Sequence, residues 1–292
     1  MRWLQQNPTD EPVLGIPEPP VIGRRPMLGS LPGPPSTVRE SPPDSVLDGA
    51  TLPGLVMRAA SVRGDAHRYY GTPRQDSMGF WKVDESRLLA CVADGLGSKE
   101  MSHLGSAAAC KAAYGNLTDF LEHADIATAA EYFAENIADD LYGWADKGGF
   151  PADSLSTTFL AAVIDHGEET SMTRVRLIRI GDSAAMLLRK GAWVSCFPEE
   201  ETQEISSSAT HALPGGTGQV EVVVHDLEPG DMLLLCTDGL AKPMTQNKEV
   251  GDRLSLWWSR AEPPSLPEFF WQFSFRAKSY DDDRTAICVW RV

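Results

Sequence analysis

Short apolar runs that stop at an aspartate constrain this chain more than any other feature. The run Leu88-Leu89-Ala90-Cys91-Val92-Ala93 is long enough for one buried strand and ends at Asp94, with Gly95 and Gly97 directly behind it. A glycine at that point lets the backbone turn sharply and leaves its carbonyl uncovered, so the stretch offers a carboxylate and a bare carbonyl together. MLLLCT runs into Asp238-Gly239 in the same way. Asp282, in YDDDRT, stands just before the final run RTAICVWRV, and Asp76, in RQDS, stands just before GFWKV. Neighbouring strands would bring these four carboxylates to one rim. Like charges at that spacing call for a cation between them. An all-oxygen set with no Cys or His suits Mg²⁺ or Mn²⁺ rather than zinc. Two such ions can hold a water, lower its pKa and aim the hydroxide at phosphorus.

The rest of the chain divides into two materials. Twelve of the 21 prolines fall at or before Pro53, in runs such as PEPP, PGPP and SPP. That density blocks helices and ladders, so residues 1–50 are expected to be a flexible tail or linker, or a docking segment for a partner that takes polyproline. Residues 51–292 are expected to form one domain. LVMRAASVRG reads as a strand, GDAHRYYGTPRQDS as a loop, and GFWKV and LLACVA as two strands joined by DESR. An alanine-rich helix is expected over about 102–121. A second is expected over about 128–147, opened by the capping-box pair Thr128 and Glu131 and stopped by Gly148 and Gly149. TTFLAAVI, TRVRLIRI, AAMLLRK, AWVSCF, QVEVVVHDL and DMLLLC then read as antiparallel strands. The polar stretch 198–218 reads as a surface loop, and two short helices are expected over 248–260 and 265–278. This order predicts an α+β sandwich with helices on its outer faces.

The net charge of -15 argues against nucleic acid or an anionic membrane as the main partner, since both need basic surface. It also weighs against a nuclease or other phosphodiesterase. The five cysteines are far apart and form no CxxC, and four of them sit in apolar runs, as reduced core residues of a cytoplasmic protein would. No stretch approaches the length of a membrane span, and the first residues lack the apolar block of a signal peptide.

RQDS, VADGLGS, STT, IGDSAAML, CTDGL and DDDRT occur in the order, and at about the spacing, found in metal-dependent protein serine/threonine phosphatases of type 2C. The chain resembles the bacterial-type members of that family over about residues 55–292. The resemblance implies a central antiparallel β-sandwich flanked by helix pairs, α-β-β-α, with a two-metal centre at one end. It implies hydrolysis of phosphoserine and phosphothreonine in a phosphorylated protein substrate by a metal-bridging hydroxide, and a cognate Ser/Thr kinase. By the same resemblance Asp94 bridges both ions, Gly95 offers its carbonyl to the second, and Asp238 and Asp282 complete the first. Asp76 holds metal-bound water, Asp153 has the offset of a third-metal ligand, and Gly181, Asp182 and Ser183 form an architectural turn.

The departures from the family pattern are specific. The position that many members fill with a phosphate-gripping arginine is Gly71 here, which leaves Arg68 or Arg74 as replacements. Leu96 stands where some members have a histidine, with His67 as the stand-in. Asp283 replaces the usual asparagine of the last motif, where it either adds charge beside the first metal or faces solvent. Loss of the arginine motivates a second reading, a catalytically weak type 2C-like module that binds or regulates.

Overall fold

A computed structural model describes residues 19–24, 42–166, 172–198 and 211–292. Eleven strands and seven α-helices are described. The first sheet has six antiparallel strands: β1 (Ser45–Leu52), β2 (Leu55–Val62), β7 (Ala184–Arg189), β8 (Ala192–Ser195), β10 (Met232–Cys236) and β11 (Arg284–Arg291), in the order β1-β2-β11-β10-β7-β8. The second has five: β3 (Ser77–Lys82), β4 (Arg87–Ala93), β5 (Phe159–Asp165), β6 (Thr173–Ile180) and β9 (Glu221–Leu227), in chain order. Helix α1 is Asp65–Tyr70, α2 Ser102–Gly115, α3 Leu117–Glu122, α4 Ile126–Gly148, α5 Asp238–Gln246, α6 Lys248–Trp258 and α7 Leu266–Phe273.

The period-two alternation of the strands builds three cores. On β4, Leu88, Ala90 and Val92 point between the sheets, where they meet Met57, Leu235 and Ile287. Leu89, Cys91 and Ala93 point the other way, against Ala109 and Ala113 of α2 and Phe133 and Ile137 of α4. The small side chains of α2 let it lie close to the sheet. The third core packs Leu254 and Trp258 of α6 and Phe269 and Phe273 of α7 on the outer face of β10 and β11. A strand buried on both faces must be apolar throughout, which is why these runs read as continuous. The result is the expected α-β-β-α sandwich.

Several boundaries differ from the sequence expectation, each for a local reason. β1 pairs with β2 over its whole length, Ser45 with Val62 through Leu52 with Leu55, so residues 45–50 belong to the sheet and not to the tail. Residues 19–24 also dock. Ile22 is 3% exposed, its N–H donates to the Arg276 carbonyl at 2.9 Å, and Val21 bridges Arg276. The other residues placed in the tail, 1–18 and 25–41, lie outside the described residues, as does most of the 198–218 loop. The segment read as a loop after β2 contains α1, closed by Gly71 at φ 72°. The alanine-rich helix breaks at Asn116 into α2 and α3. Asp125, not Thr128, caps α4, and its side chain accepts the Thr128 N–H. The sequence reading placed no helix between β10 and residue 248, yet α5 starts on Asp238 itself, with Pro243 inside it. All five cysteines are buried free thiols, and no described helix is long and apolar enough to cross a membrane.

Candidate metal and phosphate site

The two sheets deliver the strand-end aspartates to a common rim. Asp94 leaves β4 of the five-stranded sheet, while Asp238 and Asp282 flank β10 and β11 of the six-stranded one. Asp76 enters β3 from beneath them. Hydrogen bonds hold the Asp94 backbone and the Asp76 carboxyl. The Thr158 N–H and the Thr157 hydroxyl both donate to the Asp94 carbonyl, at 2.8 and 2.9 Å, and the Thr158 hydroxyl in turn bonds Ser183 of the IGDS turn. Thr237 donates its hydroxyl to Asp76 at 2.8 Å. Two glycines are required by close approach. A Cβ on Gly95 would come within 2.7 Å of the Ser102 carbonyl oxygen, and one on Gly239 within 1.8 Å of the Asp283 carbonyl oxygen.

The charges sense one another. Burial, then the charges of Asp76, Asp238 and Asp282, push the Asp94 carboxyl well above the ordinary carboxylate range. Burial and the neighbouring Asp283 push Asp76 up to about 8, against hydroxyl hydrogen bonds that pull it down. Among the described residues no three His, Cys, Asp or Glu side chains converge closely enough to share one ion as they stand. The donor set nevertheless fits a hard divalent cation: all oxygen, strongly negative and partly withdrawn from water. A histidine- or thiolate-preferring metal finds no partner in it.

This arrangement has a pH consequence. A carboxyl that ionises later in the folded than in the unfolded chain makes folding weaken as pH rises from 3.8, its ordinary value, through about 8. His67 acts in the same direction: its burial alone would lower its pKa, but the hydrogen bond and charge of Asp283 raise it, so its contribution too is lost as pH climbs. Asp76→Asn is therefore expected to raise the melting temperature of the metal-free protein at pH 8 by a few degrees and to leave it unchanged near pH 4. Scanning calorimetry in chelator checks this, and equal curves for both proteins at every pH would refute it.

The other residues singled out by sequence take different places. Asp153 is an exposed side chain paired with Lys99 at 2.9 Å and is not among the charges acting on Asp94. Arg68 forms ion pairs with Asp44 of the segment leading into β1, at 2.6 Å, and with Asp65, at 3.3 Å. Arg74 is 8% exposed, and its guanidinium donates to the Pro43 carbonyl and the Ser61 hydroxyl. Both arginines thus fasten the approach to β1, and the charge of Asp76 also acts on Arg74. His67 donates to Asp283 at 2.8 Å and lies 4.0 Å from Asp282, beside the rim but turned into the protein. Asp283 does not face solvent, and its charge acts on both Asp282 and Asp76. It is 3% exposed and accepts the N–H groups of Gly64, at 2.7 Å, and Gln75 as well as the His67 ring.

Sequence reasoning passed over one cation beside the rim. Lys242 on α5 extends its ammonium to Asp238, and Asp182 and Asp282 also act on it. The signal was the i,i+4 spacing from Asp238, visible only once α5 is started at that residue.

The family model for protein phosphatase 2C matches residues 63–270. The chain belongs to the protein phosphatase 2C family. Solved structures agree on the fold. A serine/threonine phosphatase of S. agalactiae superposes with a TM-score of 0.55 at 18% identity, over 82% of this chain and 100% of that one. The catalytic domain of the serine/threonine protein phosphatase PstP in complex with two manganese ions gives 0.51 at 17% identity, over 80% and 97%. RsbX in complex with magnesium gives 0.50 at 16%, over 84% and 98%. A search of the curated proteins found no match. In this phosphatase 2C chain the rim carries Asp94, Asp238 and Asp282, with Lys242 one helical turn beyond Asp238.

Proposed function

We propose that this chain is a metal-dependent protein phosphatase that hydrolyses phosphoserine and phosphothreonine. The observation that carries the reading is the meeting of Asp94 from one sheet with Asp238 and Asp282 from the other, in a chain of the phosphatase 2C family. Asp94, Asp238 and Asp282, with the Gly95 carbonyl, would hold Mn²⁺ or Mg²⁺. The relatives crystallised with two manganese ions or with magnesium support that choice. Bound there, such ions supply the Lewis acidity that prepares water for attack on phosphorus. The protein's own work is placement. Thr157 and Thr158 fix the strand end from which Asp94 projects, and Thr237 orients the buried Asp76 carboxyl as the proton-holding group behind the rim. The repulsion among the carboxylates, stored in the metal-free fold, is released when cations enter.

Hydrolysis of a phosphothreonine peptide is expected to require millimolar Mn²⁺ or Mg²⁺ and to vanish in excess chelator, because hard-oxygen sites leave such ions largely hydrated and exchangeable. The assay is inorganic phosphate release with and without chelator. Full activity in excess chelator would overturn the reading. A phosphotyrosine peptide in the same assay tests the serine/threonine preference.

A further inference from the structure

A phosphoryl group approaching four carboxylates needs a cation that belongs to the protein and is free to move. The two arginines nearest in sequence are spent: Arg68 on Asp44 and Asp65, Arg74 on Pro43 and Ser61. His67 is turned toward Asp283. Arg284 is buried, with its guanidinium on the carbonyls of Phe273, Phe275 and Gly239. Lys242 differs from all of these. Its side chain is 55% exposed and its only hydrogen-bond partner among the described residues is Asp238. Among the described residues it is the one cation lining a cavity of about 170 Å³, which it shares with Asp238, Asp281, Asp282, Ser279 and Tyr280. The ammonium end of the pair stands in water while the Asp238 side chain is 13% exposed, so the ammonium is free to leave once another cation neutralises Asp238.

We infer that Lys242 is the substrate-binding residue that receives the phosphoryl group, moving from Asp238 into the cavity it lines. The inference rests on the phosphatase reading and adds the residue that the reading lacks. Lysine brings a compact charge with three rotatable donors, not the planar fork of arginine. It therefore holds phosphate without fixing the angle of the ester, a property suited to serine and threonine esters alike and to the free phosphate product. The cavity is walled by α5 and residues 279–282, so the substrate chain would enter along α5.

The test uses the full chain and inorganic phosphate as probe. Lys242→Gln in saturating Mn²⁺ is expected to bind phosphate about tenfold more weakly by calorimetry. KM for a phosphothreonine peptide should rise in parallel while kcat stays within about twofold. Mn²⁺ affinity, titrated separately, should be unchanged or tighter, because the ammonium no longer competes for Asp238. Lys242→Arg should restore phosphate binding. An unchanged phosphate Kd in Lys242→Gln overturns the inference, and so does a loss of phosphate affinity that follows an equal loss of Mn²⁺ affinity. The two levels separate cleanly. A wild type that turns over while Lys242→Gln is indistinguishable from it defeats this inference alone. A wild type that binds phosphate through Lys242 without turnover defeats the phosphatase reading and leaves the site.

Discussion

Asp94→Asn is expected to remove turnover by about three orders of magnitude or more while leaving the fold in place. The carboxylate of Asp94 stands between the sheets, acted on by Asp76, Asp238 and Asp282 at once, so its charge is shared by every cation the rim would hold. Asparagine keeps the shape and one oxygen but removes that charge. The backbone that positions it does not depend on the side chain, because Thr157 and Thr158 bond the Asp94 main chain. The metal-free variant should melt at or above the wild-type temperature near neutral pH, since one member of a mutually repelling group has gone. Asp238→Asn and Asp282→Asn should each be severe as well, and combining them with Asp94→Asn should add little, because groups that act as a unit are not additive. Single-turnover hydrolysis of a phosphothreonine peptide, with calorimetric titration of Mn²⁺, checks all three. A folded Asp94→Asn protein with near-normal rate and metal affinity would remove the basis of the assignment.

Deleting residues 1–50 is expected to destabilise the domain severely, contrary to what proline density suggests. The deletion takes six of the eight residues of β1, leaving β2 as an edge strand. It removes Asp44, which holds Arg68 by ion pair and whose carbonyl accepts the Arg63 N–H, and the Pro43 carbonyl that accepts from the buried Arg74. A buried guanidinium stripped of a partner costs about 1–3 kcal/mol or more by itself. It also removes Ile22 from the core formed with Phe273 and Phe275. Ile22→Ala in the full chain isolates the last contribution, with an expected cost of about 2–3 kcal/mol. Urea denaturation of both proteins in chelator is the measurement. A deletion variant with wild-type midpoint would show that β1 and its approach contribute nothing to the sheet.

What was legible in the sequence follows the strength of the local signal. Strands buried on both faces, such as β4, β5 and β10, announce themselves as unbroken apolar runs, and the carboxylates directly after β4 and β10 mark the rim. β1 was hidden because Pro42 and Pro43 precede it and its residues are only half-buried, so SVLDGATL shows no clean alternation. Its pairing with β2 is a tertiary fact. α1 is six residues between two glycines, too short for any period to appear. Thr128 and Glu131 carry the spacing of a capping box, but Asp125 begins the helix earlier and takes the Thr128 N–H first. The roles of Arg74 and Asp283 were illegible for a different reason. Each is a charged residue in a polar stretch, and only the closing of the sheets over them turns a surface charge into a buried anchor. Lys242 was missed because α5 begins on the residue that looked like the end of a strand.

The strand order sets a schedule for the site. Every strand of the five-stranded sheet lies between residues 77 and 227, and each joins a neighbour already made. The six-stranded sheet cannot close in that way, because β11, which follows all the other described strands in sequence, is wedged between β2 and β10. Asp94 is therefore in place on a finished half while Asp282 is still to come. During synthesis the chain passes through an interval in which it holds the Asp94 carboxylate on a formed sheet with neither Asp238 nor Asp282 yet facing it.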